Sequence, residues 1–228
     1  MSTLRSLLTS LVVVALLGLA APGTASAVPA PAPAASAAGT KVVTKKLRFL
    51  VRSLPVRPEK RKGYDRDRFV HWISQGGGCD TRDRVLYQEA LVKPRVGADC
   101  AYGGGKWRSY YDGVTTSDPS TFDVDHLVAL AEAWDSGARK WDDGRRRAYA
   151  NDLGDKRTLV AVTSSSNRSK SDSDPAEWLP AKRKCRYVRE WAAVKLRWSL
   201  SIDRAERRAL VARTNSCPNV KVRVRVVE

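Results

Sequence analysis

Beyond residue 40 the chain is a succession of amphipathic helical stretches interrupted by short apolar runs. KKLRFLVRSL puts Leu47, Leu50, Val51 and Leu54 on one helical face, and Pro55 and Pro58 end it. DRDRFVHWI predicts a short Asp-capped helix with Phe69, Val70, Trp72 and Ile73 inward, broken by Gly76, Gly77 and Gly78. CDTRDRVLYQEALV predicts a second helix, capped by Asp80 or Thr81, with Val85, Leu86, Ala90 and Leu91 as its buried stripe. Residues 93–123 carry glycines, aromatics and Thr/Ser, which predicts a β-hairpin with KWRSYYDG and TFDV as its strands.

After this region the helical period returns. LVALAEAWDSGA predicts a helix stopped at Gly137, and DDGRRRAYANDL another that ends before Gly154. RTLVAVTS reads as a short strand, and SSNRSKSDSDPAEWLP as a polar turn continuing into helix. KCRYVREWAAVKLRWSL is a long amphipathic helix, and SIDRAERRALVART opens with an Asp203-x-x-Glu206 capping box. The tail VKVRVRVV alternates strictly and fits either an edge strand or a frayed basic tail. The predicted class is α+β, a mainly helical single domain over residues 41–228.

The N-terminus changes the picture. Arg5 precedes an apolar run from Leu7 to Ala21, and Ala25-Ser26-Ala27 offers a small-residue cleavage site, so residues 1–27 read as a secretory signal peptide rather than a spanning helix. Residues 28–40, VPAPAPAASAAGT, read as a Pro/Ala-rich linker. Export makes Cys79, Cys100, Cys185 and Cys217 candidates for two disulfides. Of three possible pairings, Cys79–Cys100 and Cys185–Cys217 close the shorter loops and are preferred. The chain has no CxxC pair and no histidine beside a cysteine, which argues against a zinc–thiolate site. The formal net charge of +17, from which signal cleavage removes only Arg5, predicts attraction to polyanions such as nucleic acid. The expectation is a secreted, extracellular monomer with no stable membrane association.

TFDVDHLVAL concentrates candidate chemistry: Asp123, Asp125 and His126, one of only two histidines. Taken alone, Asp125 reads as a helix cap and His126 as a surface histidine. Asn151 in YANDL and Asn167 in SSNRSK alter that reading. The order strand, Asp-His, Asn, strand, Asn, helix resembles the HNH nucleases, whose site is the ββα-metal or His-Me finger. The stretches DVDHLVALAEAW, R-x-x-YANDL and LVAV-x-x-x-SNRSKSDSDPAEWLP carry it, with CDTRDRVL before and CRYV-x-x-W after. They are most similar to secreted HNH proteins related to the C-terminal nuclease domain of GmrSD-type restriction enzymes. The resemblance covers residues 64–210, with the core motif at about 106–180.

The resemblance implies a ββα-metal finger embedded in the helical domain. It also implies a metal-dependent endonuclease that hydrolyses phosphodiester bonds in DNA, with RNA as a further substrate, leaving 5′-phosphate ends. His126 is then the expected general base, since imidazole titrates at about 6.5. Asp125 and Asn167 are expected to hold a divalent metal through a carboxylate and an amide oxygen, Mg²⁺ first, with Mn²⁺, Ca²⁺ or Zn²⁺ as alternatives. Asn167 stands where the family's name has a histidine, which favours an oxygen-preferring metal. Asn151 is expected to pin the finger and orient the histidine, although it also suits a helix C-cap. Asp123 is expected to support the ligands from behind. Arg82, Arg168 and Lys170 are candidates for gripping phosphate, against a background of solvated basic residues. The competing reading is a non-catalytic polyanion-binding protein on the same scaffold. A cell-wall hydrolase is disfavoured, because no Ser or Cys nucleophile with a partner histidine and no clear carboxylate pair stands out.

Overall fold

The computed structural model describes residues 41–228, so the signal peptide and linker expected over residues 1–40 lie outside it. Its first element is a strand, β1 (Val42–Lys46), and the helix expected from residue 45 begins only afterwards as α1 (Leu47–Ser53). The reason lies at the other end of the chain. The alternating tail is a strand, β8 (Lys221–Arg225), which pairs antiparallel with β1 and buries Val222 and Val224. A strand whose partner is so distant leaves no local signal.

DRDRFVHWI does not become a helix. Only Arg66–Arg68 forms a 3-10 turn, and Trp72 sits at φ 56°. Its backbone groups are claimed elsewhere, since Asn151 accepts from Ile73 N and donates to Val70 O. The next helix, α2 (Thr81–Glu89), starts at a capping box between Asp80 and Asp83.

The expected hairpin between KWRSYYDG and TFDV is also corrected. Beyond the short pair β2 (Arg95–Val96) and β3 (Tyr102–Gly103), β4 (Trp107–Arg108) pairs with β5 (Thr115–Thr116). TFDV belongs to β6 (Phe122–His126), whose antiparallel partner is β7 (Leu159–Thr163). Leu127 N still bonds Thr158 O, so the chain stays extended past His126, and α3 (Leu130–Asp135) begins later than its apolar pattern suggests. Asp142 caps α4 (Asp143–Ala150), and Asn151 is its C-cap. Helix α5 (Ser164–Lys170) follows β7 directly because the Thr163 side chain caps it through Ser166 N. The expected order of polar turn then helix is therefore reversed. Helix α6 (Lys184–Arg197) and helix α7 (Arg204–Asn215), the latter with the Asp203–Glu206 capping box, match expectation. The described residues thus form seven α-helices and four two-stranded antiparallel sheets, an α+β chain.

The β6–β7 ladder lies between two apolar clusters, which explains why LVAVT is buried throughout. Phe122, Val124, Leu159 and Ala161 pack with Val85, Leu86 and Trp107. Val160 and Val162 join the larger core with Tyr149, Trp191 and Trp198. Glu89 Oε2 accepts from Ala161 N and occupies an amide on β7. Disulfides join Cys79 to Cys100 and Cys185 to Cys217, the preferred pairing. Among the described residues no helix is long and apolar enough to cross a membrane.

Candidate active site

Side chains alternate across a strand, so Asp123 and Asp125 share the face of β6 that meets α5, while Val124 and His126 share the other. At the end of the strand both faces border one cavity. Asp125, His126, Asn167, Arg168, Arg66 and Asp172 line it, and its volume is about 300 Å³. Arg66 arrives on the 3-10 turn, and Asn167 and Arg168 arrive on α5.

His126 is 5% exposed and its orientation is fixed. Nε2 lies 2.9 Å from Ala150 O. A carbonyl only accepts, so Nε2 carries the proton and Nδ1 keeps its lone pair. Among the described residues no group bonds Nδ1. The ring lies near-parallel to Trp72 at 5.3 Å and to Tyr149 at 6.2 Å. Burial lowers its pKa to about 3, against the opposing pull of the Ala150 carbonyl. The imidazole is therefore neutral at ordinary pH and available as a proton acceptor.

Asp125 is 6% exposed and held on both oxygens, Oδ1 by Lys170 Nζ at 2.8 Å and Oδ2 by the Tyr111 hydroxyl at 2.7 Å. Burial raises its pKa, while Lys170 pulls the other way. Asp123 is half-buried and accepts from Ser164 Oγ at 2.7 Å and from Asn167 Nδ2 at 2.9 Å. The Asn167 amide is thereby oriented, and its Oδ1 has no donor among the described residues. Each carboxylate oxygen has two lone pairs, so the bonds to Asp125 leave room for a cation. One carboxylate plus an unpaired amide oxygen beside a polar cavity is a donor set that fits a hard divalent ion.

The other expected residues fare differently. Asn151 does not touch His126; all four of its hydrogen bonds are satisfied, by Ile73 N, Thr81 Oγ1, Val70 O and Arg147 O. It lies next to Ala150, whose carbonyl fixes His126, and clamps the segment that carries Trp72. Arg168 is exposed at the cavity rim. Arg82 is turned to the strand, where it donates to Phe122 O at 2.9 Å. Lys170 is a correction. It is 0% exposed and bonds Asp125 and His126 O, so it faces the protein interior rather than phosphate. Sequence reasoning missed Arg66, Trp72 and Tyr111. Arg66 and Trp72 come from the DRDRFVHWI segment and Tyr111 from the KWRSYYDG stretch, and none carries a local motif.

Residues 98–213 match the family described as GmrSD restriction endonucleases, C-terminal domain. A protein of Arthroderma benhamiae named "Uncharacterized secreted protein" is 41% identical over 171 residues, covering 74% of this chain and 83% of that protein. No solved structure matches. The chain belongs to the GmrSD C-terminal domain family, a family of nuclease type.

Proposed function

We propose that this protein is a secreted, metal-dependent HNH endonuclease that hydrolyses phosphodiester bonds in DNA, and in RNA as a further substrate. The observation that carries the reading is the ββα order of β6, β7 and α5 around one cavity. Asp125 and His126 border it at the end of the first strand, and Asn167 borders it from the helix after the second. The fungal relative is named a secreted protein, which supports export.

In this reading His126 Nδ1 takes the proton of the attacking water. The bond from Nε2 to Ala150 O holds the required tautomer, and burial keeps the ring uncharged until that moment. Asp125 and Asn167 would hold the ion, with Lys170 and Tyr111 fixing the Asp125 carboxylate and Asp123 fixing the Asn167 amide. A divalent ion held there would supply charge neutralisation to the phosphodiester. Arg66 and Arg168 grip the phosphates on either side. Asn151 keeps Ala150 and the Trp72 segment in place and acts by positioning alone.

The ion pair of Asp125 with Lys170 favours a second reading, a polyanion-binding protein whose carboxylate is already neutralised. Plasmid nicking across Mg²⁺, Mn²⁺, Ca²⁺ and Zn²⁺ separates the two. The proposal expects cutting that EDTA abolishes, and a higher Mg²⁺ requirement in Asn167→Ala. DNA binding without cutting under every metal would overturn it.

A further inference from the structure

A strongly basic chain contains one acidic concentration that the proposed nuclease site does not use. Glu59 on the segment after α1, Glu132 and Asp135 on α3, Asp174 after α5, and Asp203 at the cap of α7 converge. One carboxylate oxygen from each of Glu59, Asp174 and Asp203 lies within 4.8 Å of the others, and the same holds for Glu59, Glu132 and Asp135. Oxygens bound to one Ca²⁺ at about 2.3–2.6 Å can be at most about twice that distance apart, so each triad by itself has the spacing of an ion's ligands, and Glu59 is common to both.

The hydrogen bonds leave oxygens spare on every member. Asp135 is 2% exposed, and its Oδ1 is buried without a partner while Arg61 Nε holds Oδ2 at 2.7 Å. Lys195 and Ser136 both donate to Glu132 Oε1, which leaves Oε2 without a donor among the described residues. Asp174 Oδ1 accepts from Ala176 N and Glu177 N, and Asp203 Oδ1 accepts from Glu206 N, leaving each Oδ2 likewise spare. Glu59 makes no side-chain hydrogen bond among the described residues. Buried Glu206 adds a sixth carboxylate, yet only Arg61 and Lys195 form ion pairs with any of the six. Buried Asp174 has no ion-pair partner among the described residues, Glu59 is exposed and Asp203 half-buried, and the unpartnered buried oxygen of Asp135 calls for a cation or donor.

We propose that Glu59, Glu132, Asp135, Asp174 and Asp203 form a structural calcium site, distinct from the cavity at His126. None of the five lines that cavity. Five carboxylates on four separate segments suit the larger, flexibly coordinated Ca²⁺ better than Mg²⁺, which demands near-octahedral geometry and keeps its waters. The ion joins the segment after α1, α3, the turn after α5 and the start of α7.

Calcium titration of the metal-stripped full chain, by calorimetry and by melting temperature, tests this. Asp125→Asn/Asn167→Ala, which weakens the cavity donors, is expected to retain Ca²⁺ binding and the Ca²⁺-dependent rise in melting temperature. Glu59→Gln loses no hydrogen bond. It is expected to lower Ca²⁺ affinity by at least about tenfold, while melting at or above the wild type in EDTA because repulsion is relieved. Nicking by Glu59→Gln at saturating Mg²⁺ is expected to match the wild type. Absence of Ca²⁺ binding in the wild type, its loss in Asp125→Asn/Asn167→Ala, or a Glu59→Gln affinity within about threefold of wild type would overturn the proposal.

Discussion

The proposal that His126 accepts a proton rests on what surrounds its ring. Its neutral form is enforced by burial and its tautomer by one backbone carbonyl. Two outcomes follow at this scale. The cleavage rate should show no loss from imidazole protonation near pH 6.5, which a pH–rate profile at saturating metal checks. Stability should also respond, with a definite sign. The folded pKa of about 3 lies below the unfolded value of about 6.5, so the unfolded chain takes up this proton first. The contribution is complete above pH 6.5 and is lost as pH falls towards 3, at up to about 1.4 kcal/mol per pH unit. Urea unfolding of wild type and His126→Ala between pH 7 and about 4 should show the shallower pH dependence in the variant. Lys170→Met should destabilise by about 3–5 kcal/mol in the same assay, because it leaves the buried Asp125 carboxylate without its cation.

Among the elements, the ββα arrangement depends on pairings that cross many residues. The sequence revealed α6, α7 and the Asp203–Glu206 box because their signals are local: an apolar stripe and a three-residue cap spacing. DVDH and both asparagines were legible as a motif, but what Asp125 and Asn167 touch was not. TFDV was assigned to the wrong partner because strand pairing is decided by the core on both faces of β7, which no alternation in β6 encodes. The DRDRFVHWI segment looked helical until Asn151 took its backbone groups. That clamp gives a prediction at this scale. Asn151→Ala leaves Ile73 N without its acceptor and removes the donor to Val70 O and Arg147 O, and should cost about 2–4 kcal/mol. Because the proposal has this clamp position the groups that flank the His126 ring, kcat of the folded variant should fall while KM stays near the wild-type value, and an unchanged kcat would contradict the positioning role.

For the whole molecule, the proposed function assigns substrate capture to charge. The formal net charge of +17 predicts DNA binding that weakens steeply with salt. Removing either Arg66 or Arg168 from the cavity rim should reduce the salt slope by about one phosphate contact, measured by DNA titration at several ionic strengths. The proposed function assigns capture to these rim positions and the chemical step to His126. The most direct test is the single-turnover rate of supercoiled plasmid nicking by His126→Ala at saturating Mg²⁺, with DNA affinity measured on the same preparation. A rate reduced roughly 100- to 10,000-fold with unchanged DNA affinity is the predicted result. A folded His126→Ala protein that nicks within about threefold of the wild-type rate would contradict it.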